Sequence, residues 1–367
     1  MRVMLTGGGT AGHVTPALAV AEELLLDNPH VEILFIGREG GGENEAVRKA
    51  GIALKTLKIQ GLKRKISMEN LKSLYYALSA QNAAKKIIKE FNPDVILGTG
   101  GYVCWPVIRA GQSLDIPTAL HESNITPGLT TKLLAKRCVK VLLNHTETKQ
   151  YLKNEANIAV VGNPLRIGFK KIKKDEARKK LSLSPNDVFI LSFGGSIGAQ
   201  KLNETAIGVM EEYSVRDPDV KHIHAVGKRY FDEIKNNKLA DGYCGCKIVD
   251  YINDMPTLLS AADIVISRAG AMTISELAAV GVASILIPSP NVSNNHQLKN
   301  AQKLQKAEAA MLIEEKELTK ETLKLAITSL KTDKNARKNK AKNILHFSTP
   351  NASKLIVKQL KGMIFDL

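Results

Sequence analysis

Val3-Met4-Leu5-Thr6-Gly7-Gly8-Gly9-Thr10-Ala11-Gly12-His13-Val14-Thr15-Pro16 is the stretch on which the fold turns: a short apolar run enters a cluster of glycines and an amphipathic segment leaves it. A strand buried on both faces reads as a continuous apolar run, and the glycines let the chain reverse tightly into a helix. Pro16 reads as an early helical position, where a missing N–H costs least, so a helix is expected over Pro16 to Leu26. The glycines at 7, 9 and 12 satisfy GxGxxG, whose backbone amides and helix N-terminus suit an anion or a sugar diphosphate. A nicotinamide-binding version of this turn wants an acidic residue closing the second strand, and Ile36-Gly37-Arg38-Glu39 offers only Glu39, late. His13 stands at the lip of the turn, either as a base or hydrogen-bond donor or as a helix-capping residue.

Outward from this unit the same rhythm continues. Further strands are expected at Ile33 to Ile36, Ala53 to Leu57, Val95 to Leu97, Thr118 to Leu120, Lys140 to Leu143 and Ile158 to Val161, with helices between them. After Gly162-Asn163-Pro164 the pattern restarts. A basic stretch (Lys170, Lys171, Lys173, Lys174, Arg178, Lys179, Lys180) precedes a fresh strand, Val188 to Phe193, which runs into Gly194-Gly195-Ser196 as the first strand ran into Gly7-Gly8-Gly9. Strands at Lys221 to Val226, Cys246 to Val249, Ile264 to Ser267 and Ser284 to Pro288 complete a second α/β unit. A hinge is expected near residue 164, giving units at 1–163 and 164–345 and a tail at 346–367. In that tail Ala352 to Phe365 reads as a helix, apolar on one face, that packs back on the first unit.

The 367 residues suit two domains of ordinary size, and 44% hydrophobic residues supply the cores. Lysine plus arginine (52) exceeds aspartate plus glutamate (36) by 16, so an anionic partner is expected. Cys104, Cys138, Cys244 and Cys246 form neither a CxxC pair nor a disulfide framework, and no histidine spacing completes a zinc site; a reducing cytosol fits. The lead before the first glycines is too short for a signal peptide's apolar core, and no run of about 18 apolar residues spans a bilayer.

Other motifs sit where strands end, the edge at which α/β sheets bind ligands. Gly98-Thr99-Gly100-Gly101-Tyr102 leads to Trp105, the chain's one tryptophan, as a ligand platform or a core aromatic. His121-Glu122-Ser123-Asn124 brings together a histidine, a carboxylate and an amide, as a polar site or a solvated loop. In the second half, Gly194-Gly195-Ser196-Ile197-Gly198-Ala199 offers amides and a hydroxyl to a pyrophosphate. Glu276, in Arg268-Ala269-Gly270-Ala271-Met272-Thr273-Ile274-Ser275-Glu276, can accept two hydrogen bonds from a ribose diol or serve only as a first-turn partner of the helix dipole. Asn294-Asn295-His296-Gln297 offers amides to sugar hydroxyls or merely starts a helix. Asp217-Pro218-Asp219 has the spacing of a metal-holding DxD but precedes a strand on the side away from the glycine turns, and is taken as a loop.

In this order, the motifs GGGTAGH at 7–13, GTGGY at 98–102, HESN with Pro127-Gly128 at 121–128, GNPLR at 162–166, GGSIGA at 194–199, RAGAMTISE at 268–276 and NNHQLKNA at 294–301 closely resemble the MurG family of bacterial lipid-linked cell-wall glycosyltransferases. The resemblance covers nearly the whole chain. It implies two Rossmann-like α/β domains facing a cleft, the GT-B arrangement, with the acceptor and membrane on the first and the UDP-sugar on the second. It implies an inverting transfer of N-acetylglucosamine from UDP-GlcNAc to the 4-hydroxyl of undecaprenyl-pyrophosphoryl-MurNAc-pentapeptide, at the cytoplasmic face of the cell membrane, with no metal, resident cofactor or nucleic acid. The family's donor contacts carry over onto Thr10, Ala11, Gly12, Asn124, Arg166, Ser196, Ile252, Ala271, Met272, Thr273, Glu276 and Gln297. Ile252 matches the position whose backbone meets uracil, Glu276 the ribose carboxylate and Gln297 the reader of sugar hydroxyls. The chain departs from the family at Ser123 and Ile197, where glutamine is common.

The transfer needs a base for the hydroxyl, for which His13 and Glu122 both stand, and stabilisation of departing UDP, for which Arg166, Ser196 and helix amides stand. Lys63, Arg64 and Lys65, followed by Leu74 and Tyr75 at helical spacing, form a candidate membrane-docking patch; the alternative is a charged loop beside a core-facing helix stripe. Rival functions are a UDP-GlcNAc 2-epimerase, a nicotinamide-dependent dehydrogenase and a non-catalytic sugar- or nucleotide-binding protein.

Overall fold

In the computed structural model, the described residues are all but 43, 61–67, 153–156, 293–294 and 366–367. The chain forms two compact units, Met1–Ile167 with Thr349–Leu367, and Gly168–Ser348. The first carries seven strands: β1 (Arg2–Thr6), β2 (Glu32–Arg38), β3 (Ala53–Leu57), β4 (Val95–Gly98), β5 (Thr118–Glu122), β6 (Lys140–Leu143) and β7 (Ile158–Val160). They form one sheet in the order β3-β2-β1-β4-β5-β6-β7, every neighbouring pair parallel. The second carries β8 (Val188–Phe193), β9 (Val220–Ala225), β10 (Cys246–Val249), β11 (Ile264–Ser267), β12 (Ala283–Leu286) and β13 (Met311–Leu312), in the parallel order β10-β9-β8-β11-β12-β13.

In each sheet the strand order reverses beside the first strand, between β1 and β4 and between β8 and β11. Loops leaving those two strands in opposite directions open a crevice at their carboxyl ends, where doubly wound sheets take ligands. The glycine clusters at 7–9 and 98–101 flank this point in the first unit, and those at 194–198 and 270 flank it in the second.

Alternate residues of each strand enter opposite cores because the side-chain period is two. Val3 and Leu5 join Val14, Leu18 and Ala21 of the helix Ala11–Asp27 on one face, while Met4 joins Ala84, Ile88 and Ile108 on the other. The final helix, Ala352–Phe365, places Ile356, Val357, Leu360 and Met363 in the first of these cores, and Lys361 pairs with Asp27. The end of the chain thus completes the unit in which the chain began. In the second unit Ile190 and Ile266 pack with Val209, Met210 and Ile327.

One helix boundary departs from the expectation. The first helix begins at Ala11, with Thr10 as its N-cap, and Pro16 lies inside it. The missing N–H of Pro16 leaves the carbonyl of Gly12 without its usual helical donor, a cost normally met at an early position but accepted here within a buried helix. β13 also went unanticipated, because two residues carry no period.

Candidate functional site

In the first unit the two glycine loops lock together around a histidine. The Thr99 hydroxyl donates to the His13 carbonyl at 2.6 Å, and the His13 ring Nδ1 lies 3.3 Å from the Thr99 carbonyl. Gly101 has φ +82°, and a β-carbon there would collide with the Gly8 carbonyl, so only glycine fits this crossing. Tyr102 closes against Gly9. His13 itself is half-buried, while Thr10 and Gly12 beside it are exposed and Ala11 opens the helix.

Behind this pair lies the loop after β5. Buried Glu122 accepts four hydrogen bonds: from the Asn124 backbone N–H (3.0 Å) and side-chain amide (3.1 Å), the Gly128 N–H (2.9 Å) and the Thr131 hydroxyl (2.7 Å). Its two oxygens therefore organise residues 122–131. The Thr130 hydroxyl then ties that loop to the Gly101 carbonyl at 3.2 Å. His121 is a core residue, its Nε2 2.9 Å from the Gly162 carbonyl and its pKa lowered by burial. Trp105 packs, partly buried, on the core beside Val103 and Ile108. The Cys104 thiol, buried against the Thr6 and Gly100 carbonyls, is pushed up to about 12 and is inert. The Arg166 Nε donates to Glu22 at 2.6 Å, and the Ile167 N–H donates to the same carboxylate at 3.1 Å.

In the second unit the turn Gly194–Ala199 is open. Ser196 and Ile197 are exposed, and Gly198, at φ +82°, would drive a β-carbon into the Val226 carbonyl. Val226 and Gly227 donate to the carbonyls of Val249 and Asp250, both at 3.0 Å, which places the loop leading to buried Ile252 beside the turn. The helix Ala271–Val280 starts after Gly270, which has no side chain to cap it, with Ala271 and Met272 buried and Thr273 half-buried. Glu276 lies in its second turn rather than its first. It is half-buried, and no protein donor among the described residues reaches its carboxylate; desolvation raises its pKa to about 8. Gln297 turns its carbonyl toward the Ser289 N–H at 2.9 Å, so its NH₂ end is the one left to donate. Asn294 lies outside the described residues.

Several polar residues are engaged elsewhere. Arg268 donates to the Ile287 and Pro288 carbonyls at 3.2 and 3.3 Å and pairs with Glu315, a structural clamp. Asp217 pairs with Lys331 at 2.5 Å, while the Asp219 carbonyl accepts from Val188 at 2.8 Å, so the Asp-Pro-Asp segment ties helix to strand. Among the described residues no group of three or more histidine, cysteine, aspartate or glutamate side chains is placed to hold a metal. Lys63, Arg64 and Lys65 lie outside the described residues; Leu74 and Tyr75 fall on the helix Met68–Phe91, but their side chains are outside what is described.

Residues 3–143 match the glycosyltransferase family 28 N-terminal domain, and residues 189–359 match its C-terminal domain. A Thermoanaerobacter sp. (strain X514) protein named UDP-N-acetylglucosamine--N-acetylmuramyl-(pentapeptide) pyrophosphoryl-undecaprenol N-acetylglucosamine transferase is 39% identical over 99% of this chain and 100% of its own. The chain belongs to this family, MurG. The crystal structure of Acinetobacter baumannii MurG superposes with a TM-score of 0.72 at 25% identity, over 98% of this chain and 99% of that one. A Neisseria meningitidis UDP-GlcNAc 2-epimerase bound to UDP-GlcNAc gives 0.70, over 98% and 100%, but at 14% identity it shares the fold alone. The architecture of the MurG family is accordingly that of this chain: two parallel-sheet α/β domains of GT-B type.

One buried cluster escaped the sequence reading: Ser192, His222, His224 and Asn203. The readable signal was two histidines at alternate positions of β9, hence on one face of the sheet, beside a strand carrying a serine.

Proposed function

We propose that this chain transfers N-acetylglucosamine from UDP-GlcNAc to the 4-hydroxyl of lipid-linked MurNAc-pentapeptide, the step its MurG relatives are named for. The observation that carries the placement of the donor is Glu276: a desolvated carboxylate without a protein partner among the described residues, on the second turn of the helix that starts at Ala271. A diol would supply the two donors this carboxylate lacks, and the amides of Ala271, Met272 and Thr273 would face a diphosphate. Ser196 adds a hydroxyl, Ile252 a backbone edge for the base and Gln297 an NH₂ for the sugar, while Thr10, Ala11, Gly12, Asn124 and Arg166 contribute from the first unit.

In the reaction the acceptor oxygen attacks the anomeric carbon from the face opposite UDP. Its proton passes to His13, the C1–O bond breaks, and the electron pair leaves on the β-phosphate oxygen. His13 suits the base better than Glu122, because four hydrogen bonds that order residues 122–131 already converge on the Glu122 oxygens. Glu122 is then a positioning residue. The leaving diphosphate is stabilised by helix amides and Ser196.

The acceptor's polyprenyl tail requires a membrane surface, and no helix among the described residues is long and apolar enough to cross one. We place docking on the first unit, at Lys63, Arg64 and Lys65 with Leu74 and Tyr75. Exposed Leu129 and Leu133, with exposed Lys132, Lys136 and Arg137 close to them in the chain, offer a further basic and apolar surface on the same unit. The enzyme is thus peripheral on the cytoplasmic leaflet. Pelleting with anionic vesicles tests it: binding unchanged when Lys63, Arg64 and Lys65 are neutralised would discard this surface.

A short-chain lipid-linked muramoyl acceptor crossed with a panel of nucleotide sugars tests the reaction. Formation of a β-1,4 disaccharide with UDP-GlcNAc, and release of UDP only with acceptor present, is expected. Conversion of UDP-GlcNAc without acceptor would instead make the chain an epimerase.

A further inference from the structure

A continuous hydrogen-bonded chain runs beneath the open glycine turn of the second unit. The Ser192 hydroxyl lies 2.7 Å from His222 Nε2 and 2.7 Å from His224 Nδ1; His224 Nε2 lies 3.2 Å from Asn203 Oδ1; and Asn203 Nδ2 donates to the Val226 carbonyl at 2.9 Å. All four side chains are buried, none more than 2% exposed.

The direction of every bond follows from its far end. A carbonyl only accepts, so Asn203 must turn its NH₂ to Val226 and its oxygen to His224. His224 must therefore carry its proton on Nε2, which leaves Nδ1 bare to accept from Ser192. The serine has a single proton and spends it there, so it accepts from Nε2–H of His222. Both histidines are then neutral, and the group left unpaired at the end is a bare His222 Nδ1, an acceptor rather than a donor. Burial drives both ring pKa values down, that of His224 to about 4, in keeping with neutral rings.

The chain ends on a hub. The Val226 carbonyl is the atom against which Gly198 of the turn closes, and the Gly227 N–H of the same peptide and the Val226 N–H of the one before it donate to the carbonyls of Asp250 and Val249 at the start of the Ile252 loop. The geometry points to Ser192, His222, His224 and Asn203 as positioning residues for the nucleotide site, a one-way relay that sets where the phosphate turn and the base loop stand relative to each other. An apolar filler would occupy this core but would leave the Val226 carbonyl without its side-chain donor, so that the peptide is held from its N–H side alone. A wholly neutral relay also keeps net positive charge out of the core behind the diphosphate, so donor affinity rests on geometry. This assignment rests on the nucleotide reading above.

The test uses the full-length protein with UDP and UDP-GlcNAc. Asn203→Leu keeps the branched skeleton and removes the last link; it is expected to raise the UDP dissociation constant and the donor KM together by about tenfold, with kcat at saturating donor within about twofold. Ser192→Ala breaks the relay in the middle and should act in the same direction by a smaller factor. A loss confined to kcat, or unchanged donor affinity in folded variants, would overturn the relay. Absence of UDP binding by the unsubstituted protein would instead overturn the nucleotide reading, so the two failures are separable. Nitrogen chemical shifts of the wild-type histidines test the relay with no variant at all. Nε2–H tautomers are expected for both rings at neutral pH, and an Nδ1–H tautomer or a charged ring at either position would refute it.

Discussion

The strand–glycine–helix device occurs at Gly7–His13 and again at Gly194–Ala199, and the two copies are built for opposite ends. In the first unit the turn is clasped by a second glycine loop, with Thr99 and Gly100 against the His13 ring and Gly101 against Gly8. In the second the turn faces solvent at Ser196 and Ile197, and its rigidity comes from beneath. A clasped turn holds one side chain in place, as proton transfer requires; an open one offers amides to a ligand. On the proposed function, the same local sequence grammar mounts a reactive group in one unit and a cradle in the other.

The sharpest way to break this comparison is His13→Ala. If His13 removes the acceptor's proton, kcat should fall by about 10²- to 10⁴-fold, the usual worth of a positioned base, while UDP affinity stays near wild type. Steady-state kinetics with calorimetry of UDP check both halves. Retained turnover would return the role of base to Glu122 or to solvent.

Next come matched glycine substitutions. Gly101→Ala and Gly198→Ala each force a β-carbon into a carbonyl at positive φ, and each should cost about 2–5 kcal/mol of local strain and overpacking. The comparison predicts different consequences: Gly101→Ala lowers kcat by displacing His13, whereas Gly198→Ala raises the donor KM. Equal changes in both parameters for both variants would mean that the two turns do the same job.

The sequence exposes the strands more clearly than the site. Lys140–Leu143, Val188–Phe193 and Ile264–Ser267 are legible to the residue because buried parallel strands are apolar runs cut off by turn residues, and the edge strands Ala53–Leu57 and Cys246–Val249 are legible from the glycines that precede them and the apolar positions between polar ones. The start of the first helix was not, since Pro16 is a local signal overridden by burial of the helix. Glu122 is legible as a carboxylate at a strand end, but its four donors come from residues 124 to 131 and only the fold brings them together. The polar relay is hidden for the opposite reason. Its members sit in strands and a helix that read as core, and their partners lie 21 to 32 positions apart in the chain.

A smaller effect is expected at Glu276. If its carboxylate accepts the ribose diol, Glu276→Ala should weaken UDP binding by about 1.5–3 kcal/mol, the range for hydrogen bonds to a charged group. The loss should appear in donor KM more than in kcat, because the diol is present in both ground and transition states. Discrimination between UDP and its 2′-deoxy analogue should shrink in the variant. Equal discrimination in both proteins would remove Glu276 from the ribose.

The smallest effect concerns protons, and its sign separates binding from stability. Desolvation holds the Glu276 pKa at about 8 in the folded protein, against 4.5 ordinarily. Between those values the folded chain keeps a proton that the unfolded chain has lost, so Glu276 makes stability fall as pH rises from 4.5 to 8. Binding runs the other way. A ribose diol can donate to both oxygens of the carboxylate, whereas the protonated acid keeps only its neutral carbonyl as a good acceptor, so UDP affinity should rise as Glu276 ionises, by up to about tenfold between pH 7 and pH 9. Glu276→Gln supplies the control, because it cannot ionise while UDP's own titration is unchanged. Its UDP affinity should show no rise of this kind over the same interval, and its stability should lose this downward slope. Calorimetry of UDP and thermal unfolding across that range, on both proteins, measure the two slopes; a UDP affinity in the wild type that tracks the variant's at every pH would show that Glu276 is ionised already or does not meet the nucleotide.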